Sequence, residues 1–298
     1  MAERQSQIVL GLDPDPAALW PGSGPERAQG SPAERAAGAV LAHCRALIDA
    51  TAQACVAVKL QLACFERLGA PGWSALQALA DDARAAGLLV ILDGKRGDIS
   101  VSAAAYAQAL LGGVRTPFGT AQGPGADLLT VNPLMGQDAI EPFVSAARAA
   151  GAGVLVLVRT SNPGAADVED LELRDGGVVW ERIAQIVDSL GAGAVGRMGL
   201  SDVGAVMGAT APEHLRRARE LMEHAPFLLP GIGAQGGRVQ DLAPAFAPGR
   251  AGGLVTASRS IANAHLASGG EPAAAARAEA ERLREAAWAL SDRAGAPC

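Results

Sequence analysis

The 298-residue chain is 49% hydrophobic with a formal net charge of −6, enough apolar content to bury about three quarters of its unfolded surface as one large domain. The negative balance and a total of ten aromatic residues argue against a polyanion-binding surface, which excludes nucleic acid as a partner. Cys44, Cys55, Cys64 and Cys298 show neither a Cys-x-x-Cys pair nor metal-ligand spacing, and no signal peptide or spanning helix is visible, so a cytoplasmic protein with reduced packing thiols and no membrane association is expected.

Along the chain, short apolar runs alternate with alanine-rich stretches of helical period. The first strand, 8–12, ends in Leu12-Asp13-Pro14, and 13–34, with five prolines, reads as a surface insertion. A helix is predicted over 35–54, then a strand at 55–60 that ends in Val58-Lys59-Leu60-Gln61, and a helix over 73–86. The strand at 88–93 ends in Asp93-Gly94-Lys95, ahead of a helix over 99–111 and a second, glycine-rich insertion at 112–126. Strands at 127–131 and 153–158 end in Val131-Asn132-Pro133 and Thr160-Ser161-Asn162-Pro163-Gly164, with a helix over 137–150 between them. After a helix over 177–190, strands at 203–208, 227–230 and 253–257 flank a helix over 212–224. The last two strands run into Pro230-Gly231-Ile232-Gly233-Ala234-Gln235-Gly236-Gly237 and Ala257-Ser258-Arg259-Ser260, and 271–291 reads as a closing helix.

Eight strands alternating with helical stretches in 298 residues give an α/β protein, a (β/α)8 TIM barrel with 1–298 as a single domain. The runner-up, an open doubly wound sheet, lacks a Gly-x-Gly-x-x-Gly after its first strand. In a barrel the carboxyl ends of the strands converge on one mouth, where active sites are built. Four charges of alternating sign fall there: Lys59, Asp93, Lys95 and Asp98. A lysine ammonium fixed between carboxylates suits a proton donor, with Gly94 and Gly97 letting the backbone approach a ligand closely. A metal site is not expected, because no histidine ends a strand and two lysines compete for the carboxylates. His43, His214, His224 and His265 are read as surface residues. No Gly-x-Ser-x-Gly elbow is present, and no cysteine ends a strand.

Loops after the last two strands are the usual phosphate site of this architecture. Glycine-rich backbone at 231–237, including Gly236, can aim N–H groups at an anion, and Arg259 beside Ser258 can add a charge-assisted contact. A phosphorylated small molecule follows. The glycine segment, continued through Arg238, Gln240 and Asp241, reads as a mobile lid.

Asp93-Gly94-Lys95-Arg96-Gly97-Asp98-Ile99 resembles the Asp-x-Lys-x-x-Asp signature of the orotidine 5′-monophosphate decarboxylases, in the form found in their longer bacterial branch. Thr160-Ser161-Asn162-Pro163-Gly164, the 230–237 segment and Ser258-Arg259-Ser260-Ile261 are similar to the same branch. The resemblance implies cofactor-free loss of CO2 from orotidine 5′-monophosphate to give uridine 5′-monophosphate, the last step of de novo pyrimidine nucleotide synthesis. It makes Lys95 the proton donor to C6, sets Asp93 near the departing carboxylate and has Lys59 bridge the network and contact the ribose. It further implies a homodimer with shared sites, in which Asp98 reaches into the partner's cavity, with Ile99 and Ser102 on the same segment. Asp13 would bind ribose hydroxyls, Ser161 the pyrimidine edge, and Gln235 with Arg259 the phosphate. Two alternatives stand beside it: a metal-dependent sugar-phosphate aldolase or decarboxylase on the same barrel, and a non-catalytic phosphate-ligand barrel.

Overall fold

Side chains that alternate between two environments along each apolar run set the architecture. The computed structural model describes residues 1–23, 30–210, 212–233, 236–247 and 249–294. In chain order come β1 (Ile8–Leu12), α1 (Pro32–Thr51), β2 (Ala57–Gln61), α2 (Leu62–Glu66), α3 (Gly69–Ala85), β3 (Leu89–Arg96) and α4 (Ser100–Leu111). They are followed by β4 (Gly113–Thr116), β5 (Gly119–Gln122), β6 (Leu128–Val131), α5 (Gln137–Ala150), β7 (Gly153–Arg159), α6 (Val179–Gly191), β8 (Val203–Met207) and α7 (Pro212–Leu221). The chain finishes with β9 (Phe227–Leu229), a 3-10 segment Val239–Phe246, β10 (Gly253–Ala257), α8 (Arg259–Ala262), α9 (Ala264–Ser268) and α10 (Pro272–Ala294).

Eight parallel strands close a barrel in the order β1-β10-β9-β8-β7-β6-β3-β2, the (β/α)8 form expected from the alternation. Leu10, Val58, Leu92, Val156 and Val255 face outward and pack under the helices in one continuous core. Val9, Ala57, Ile91, Leu155 and Leu254 fill the lower interior, and Val206 and Leu228 of the same cluster reach the cavity above it. Each fully buried aliphatic contributes roughly 1.5–3 kcal/mol. Two residues further along the strands, the same inward face carries Lys59, Asp93, Leu157 and Thr256. The period of two therefore lifts polar groups to the mouth while the barrel below stays dry.

Several boundaries differ from the sequence reading, each for a local reason. Helix α1 starts at Pro32 instead of 35, because Ser31 and Glu34 form a reciprocal capping box with proline in the first turn. Within the 13–34 insertion Trp20 is buried, its indole N–H donating to the Ala262 carbonyl. The 112–126 insertion is an antiparallel hairpin of β4 and β5 with Phe118 exposed at its tip, and Arg84 ties its return to the barrel through the Pro124 and Gly125 carbonyls. His43 is not a surface residue: its Nδ1 accepts the Trp20 backbone N–H at 3.2 Å, and burial, followed by the neighbouring His265, lowers its pKa to about 4. Beyond the glycine turn the segment read as a lid is not a free loop: Val239, Leu242 and Phe246 are buried, the 3-10 segment packs against α7 and α10, and Arg238 and Gln240 face a separate cavity with Ser260 and Arg282.

Candidate active site

The inward-facing residues at the carboxyl ends of the strands enclose a cavity of about 350 Å³. Its wall includes Asp13, Lys59, Asp93, Lys95, Ser161, Ser258 and Arg259. Asp93 is the hub. Lys59 Nζ lies 3.0 Å from Asp93 Oδ2 and 3.3 Å from Asp13 Oδ1, while Lys95 Nζ lies 2.6 Å from Asp93 Oδ1. The Lys59 and Asp93 side chains are 6% and 8% exposed and that of Lys95 is 44% exposed, so of the two lysines Lys95 is the one more open to a ligand. Ser258 Oγ donates to Asp13 Oδ2 at 2.7 Å, which ties the first and last strands together at the mouth.

Burial alone would raise the Asp93 pKa, but Lys59 and then Lys95 override it and hold the carboxyl at about 2. Burial likewise opposes the charge on Lys59, and Asp93 with Asp13 reverses that effect and raises its pKa. Asp93 and Lys59 are thus kept charged by their neighbours, in a site dry enough for that charge to act strongly.

Lys95 sits in the left-handed region at φ 47°, an arrangement that costs about 1–3 kcal/mol and persists only where the surroundings enforce it. Here the pairing of β3 with β6 jumps from Leu92–Leu129 to Arg96–Val131, a bulge that re-aims the strand end. Gly94 permits it, since a Cβ there would come within 2.6 Å of Leu62 Cδ1. Thr130 fixes it: its Oγ1 accepts the Lys95 backbone N–H at 2.9 Å and donates to Asp93 Oδ1 at 2.8 Å. Sequence reasoning missed Thr130, and the available signal was its place two residues after the inward-facing Leu128. Thr256 was also missed. It is buried in the cavity wall, and its Oγ1 has no hydrogen-bond partner among the described residues.

Across the mouth, Pro230, Gly231 and Ile232 line the cavity opposite the lysines. Gly231, Gly233 and Gly236 all have positive φ, and the Gly237 N–H closes the turn on the Gly231 carbonyl at 3.0 Å. Gly236 belongs to this turn but not to the cavity wall, and Gln235 lies outside the described residues. Asp98 and Ser102 are likewise not brought to the cavity of their own chain. Asp98 Oδ1 accepts the Ile99 N–H at 2.8 Å instead, and Ser102 is on the exposed face of α4. The described residues hold no cluster of metal-binding side chains and no helix long and apolar enough to cross a membrane.

The chain matches the family model "Orotidine 5′-phosphate decarboxylase / HUMPS family" over residues 6–278. A protein of Deinococcus radiodurans named orotidine 5′-phosphate decarboxylase is 45% identical over 247 residues, covering 83% of this chain and 81% of the relative. One of that name from Rhodopirellula baltica is 43% identical over 232 residues, 77% and 74% of the two chains. The solved structure of Leishmania donovani OMP decarboxylase superposes with a TM-score of 0.72 at 31% identity, covering 98% of this chain and 97% of that one.

Proposed function

Because the chain belongs to the orotidine 5′-phosphate decarboxylase / HUMPS family, we propose that this cavity removes CO2 from orotidine 5′-monophosphate through the lysine and carboxylate network, without a cofactor. The activity is that of a carboxy-lyase in pyrimidine nucleotide biosynthesis. The observation that carries the mechanistic reading is the Lys95 ammonium, 2.6 Å from a buried, ionised Asp93 and open to the cavity.

Breaking the bond between C6 and the carboxylate leaves the electron pair on C6, in a vinylic orbital that the ring does not delocalise. A cation already in place lowers the cost of that charge, since nothing has to reorganise as it develops. Lys95 Nζ then gives its proton to C6, so the C–C bond to the departing CO2 and one N–H bond break, one C–H bond forms, and the lysine is left as a neutral amine. Asp93 faces the departing carboxylate and Lys59 spans Asp93 and the ribose side, where Asp13 and Ser258 meet. Arg259 and the 231–237 turn, including Gly236 and Gln235, take the phosphate. Its binding energy, remote from C6, is spent on orienting the reacting centre. Ser161 meets the pyrimidine edge. The position of Asp98 and Ser102 outside their own cavity supports a homodimer in which they complete the partner's site.

The ultraviolet absorbance of orotidine 5′-monophosphate, followed with purified protein in the presence and absence of EDTA, tests the assignment. Equal conversion in both is expected. No conversion would overturn it, and conversion abolished by EDTA would favour the metal-dependent alternative.

A further inference from the structure

Strand β7 ends under the segment assigned to the pyrimidine, and the charges gathered there play no part in the chemistry above. Leu157 lines the cavity but Arg159, next on the same face of the strand, does not. The ladder to β8 shifts register between them, and the guanidinium turns beneath residues 160–170. Its Nε and Nη2 each donate to one oxygen of Asp170 at 2.9 Å. Its Nη1 donates to the Thr160 carbonyl at 2.8 Å and lies 3.5 Å from Glu169 Oε2. Glu169 in turn accepts the Thr160 N–H, and its other oxygen is met by the Thr160 hydroxyl, both at 2.9 Å.

Charged side chains therefore hold both peptide planes that flank Thr160, one through its N–H and one through its carbonyl. Such charge-assisted bonds are about twice as strong as neutral ones. The next residue is held from the opposite side. Thr210 Oγ1 donates to the Ser161 carbonyl at 3.1 Å, and a Cβ on Gly208 would approach Ser161 Cα to 2.8 Å. The loop has fastenings of its own, among them the Trp180 N–H to the Glu169 carbonyl and the Glu169 N–H to the Ala165 carbonyl. Closing the loop does not require the ionic contacts to converge on Thr160, yet they do, on the first of the three residues Thr160, Ser161 and Asn162 that line the cavity.

We propose that Arg159, Glu169 and Asp170 are positioning residues that preset the 160–162 backbone for recognition of the base. The inference rests on the reading in which Ser161 meets the pyrimidine edge. Holding a recognition segment in its bound geometry lowers the cost of binding whatever that segment touches, and leaves ligand parts held elsewhere unaffected.

The test compares wild type with Glu169→Gln and Asp170→Asn, both of nearly unchanged shape, using KM, kcat and inhibition by uridine 5′-monophosphate and by ribose 5-phosphate, which lacks the base. KM and the uridine monophosphate inhibition constant are expected to rise about tenfold, with kcat within about threefold and ribose 5-phosphate inhibition unchanged. Asp170→Glu, which keeps the carboxylate, is expected to recover part of the loss. Constants within about twofold of wild type, or equal weakening of both ligands, would overturn the proposal. Thermal melting checks that each variant folds, and Arg159→Lys, which keeps the charge but loses the two-pronged contact, stands in for either that does not. A wild-type chain inert toward orotidine 5′-monophosphate would overturn the functional reading itself, and this inference with it.

Discussion

The proposed mechanism asks two things of the one Lys95 ammonium group: to sit beside C6 while negative charge grows there, and then to surrender a proton to it. Its 2.6 Å contact with Asp93 fixes the nitrogen for the first task, and its exposure to the cavity permits the second. Truncation removes both. Loss of a single preorganised donor typically costs 10²–10³ in kcat, and Lys95→Ala forfeits the proton as well, so a fall of at least about 10³-fold is expected with the melting temperature nearly unchanged. Steady-state turnover with a circular-dichroism melt checks this, and wild-type turnover would refute the role. Asp93 carries a stability prediction whose sign follows from its depressed pKa. The ordinary carboxyl value is 3.8 and the folded value about 2, so ionised Asp93 stabilises the fold fully above about pH 4, and this contribution is lost as the pH falls to about 2. Urea denaturation of wild type and Asp93→Asn is expected to show a gap that is constant near neutrality and shrinks by about 2 kcal/mol across that interval. A gap independent of pH would mean that Asp93 is not held by the lysines.

The strand end matters as much as the residue it carries. An unbroken β3 would run past the mouth without bending Lys95 back toward Asp93, and the bulge against β6 supplies the bend at the expense of a left-handed Lys95. Thr130 pins both ends of that distortion with one hydroxyl. Thr130→Val keeps the branched shape but removes both hydrogen bonds, and two such bonds at about 1 kcal/mol each lead to an expected fall of roughly thirtyfold in kcat with KM little changed. Equal losses in both parameters would point to general damage instead. The same element shows what the sequence could and could not disclose. Branched apolar runs with charges at their ends were legible as strands and mouth, because burial imposes a period of two and the end of burial is abrupt. The hydroxyl of Thr130 was not, since an inward-facing threonine looks like any strand-forming residue until its neighbours are placed. Nor was the Arg159 network, because its carboxylates come from a loop whose spacing follows no period. His43 was misread for a related reason: the Trp20 that buries it lies 23 positions away in a proline-rich stretch.

At the scale of the whole molecule, the barrel of one copy gathers Lys59, Asp93 and Lys95 but leaves Asp98, the last charge of the motif, outside the cavity. Beside it Ile99 and Val101 are 52% and 83% exposed, an apolar edge that the proposed homodimer would cover. If Asp98 acts in the partner's site, Lys95→Ala and Asp98→Ala are each inactive alone but complementary when mixed. In the hybrid dimer, one site lacks both groups while the other pairs an intact Lys95 with an intact Asp98 from the neighbour. Random exchange makes half the dimers hybrid, each with one working site of two, so about one quarter of wild-type activity is expected in an equimolar mixture. If Asp98 instead acts within its own chain, every site in the mixture lacks one of the two groups and activity stays at the level of the single variants. Exchange is verified by giving the two variants different affinity tags and isolating the doubly tagged species, whose specific activity should be about half that of wild type.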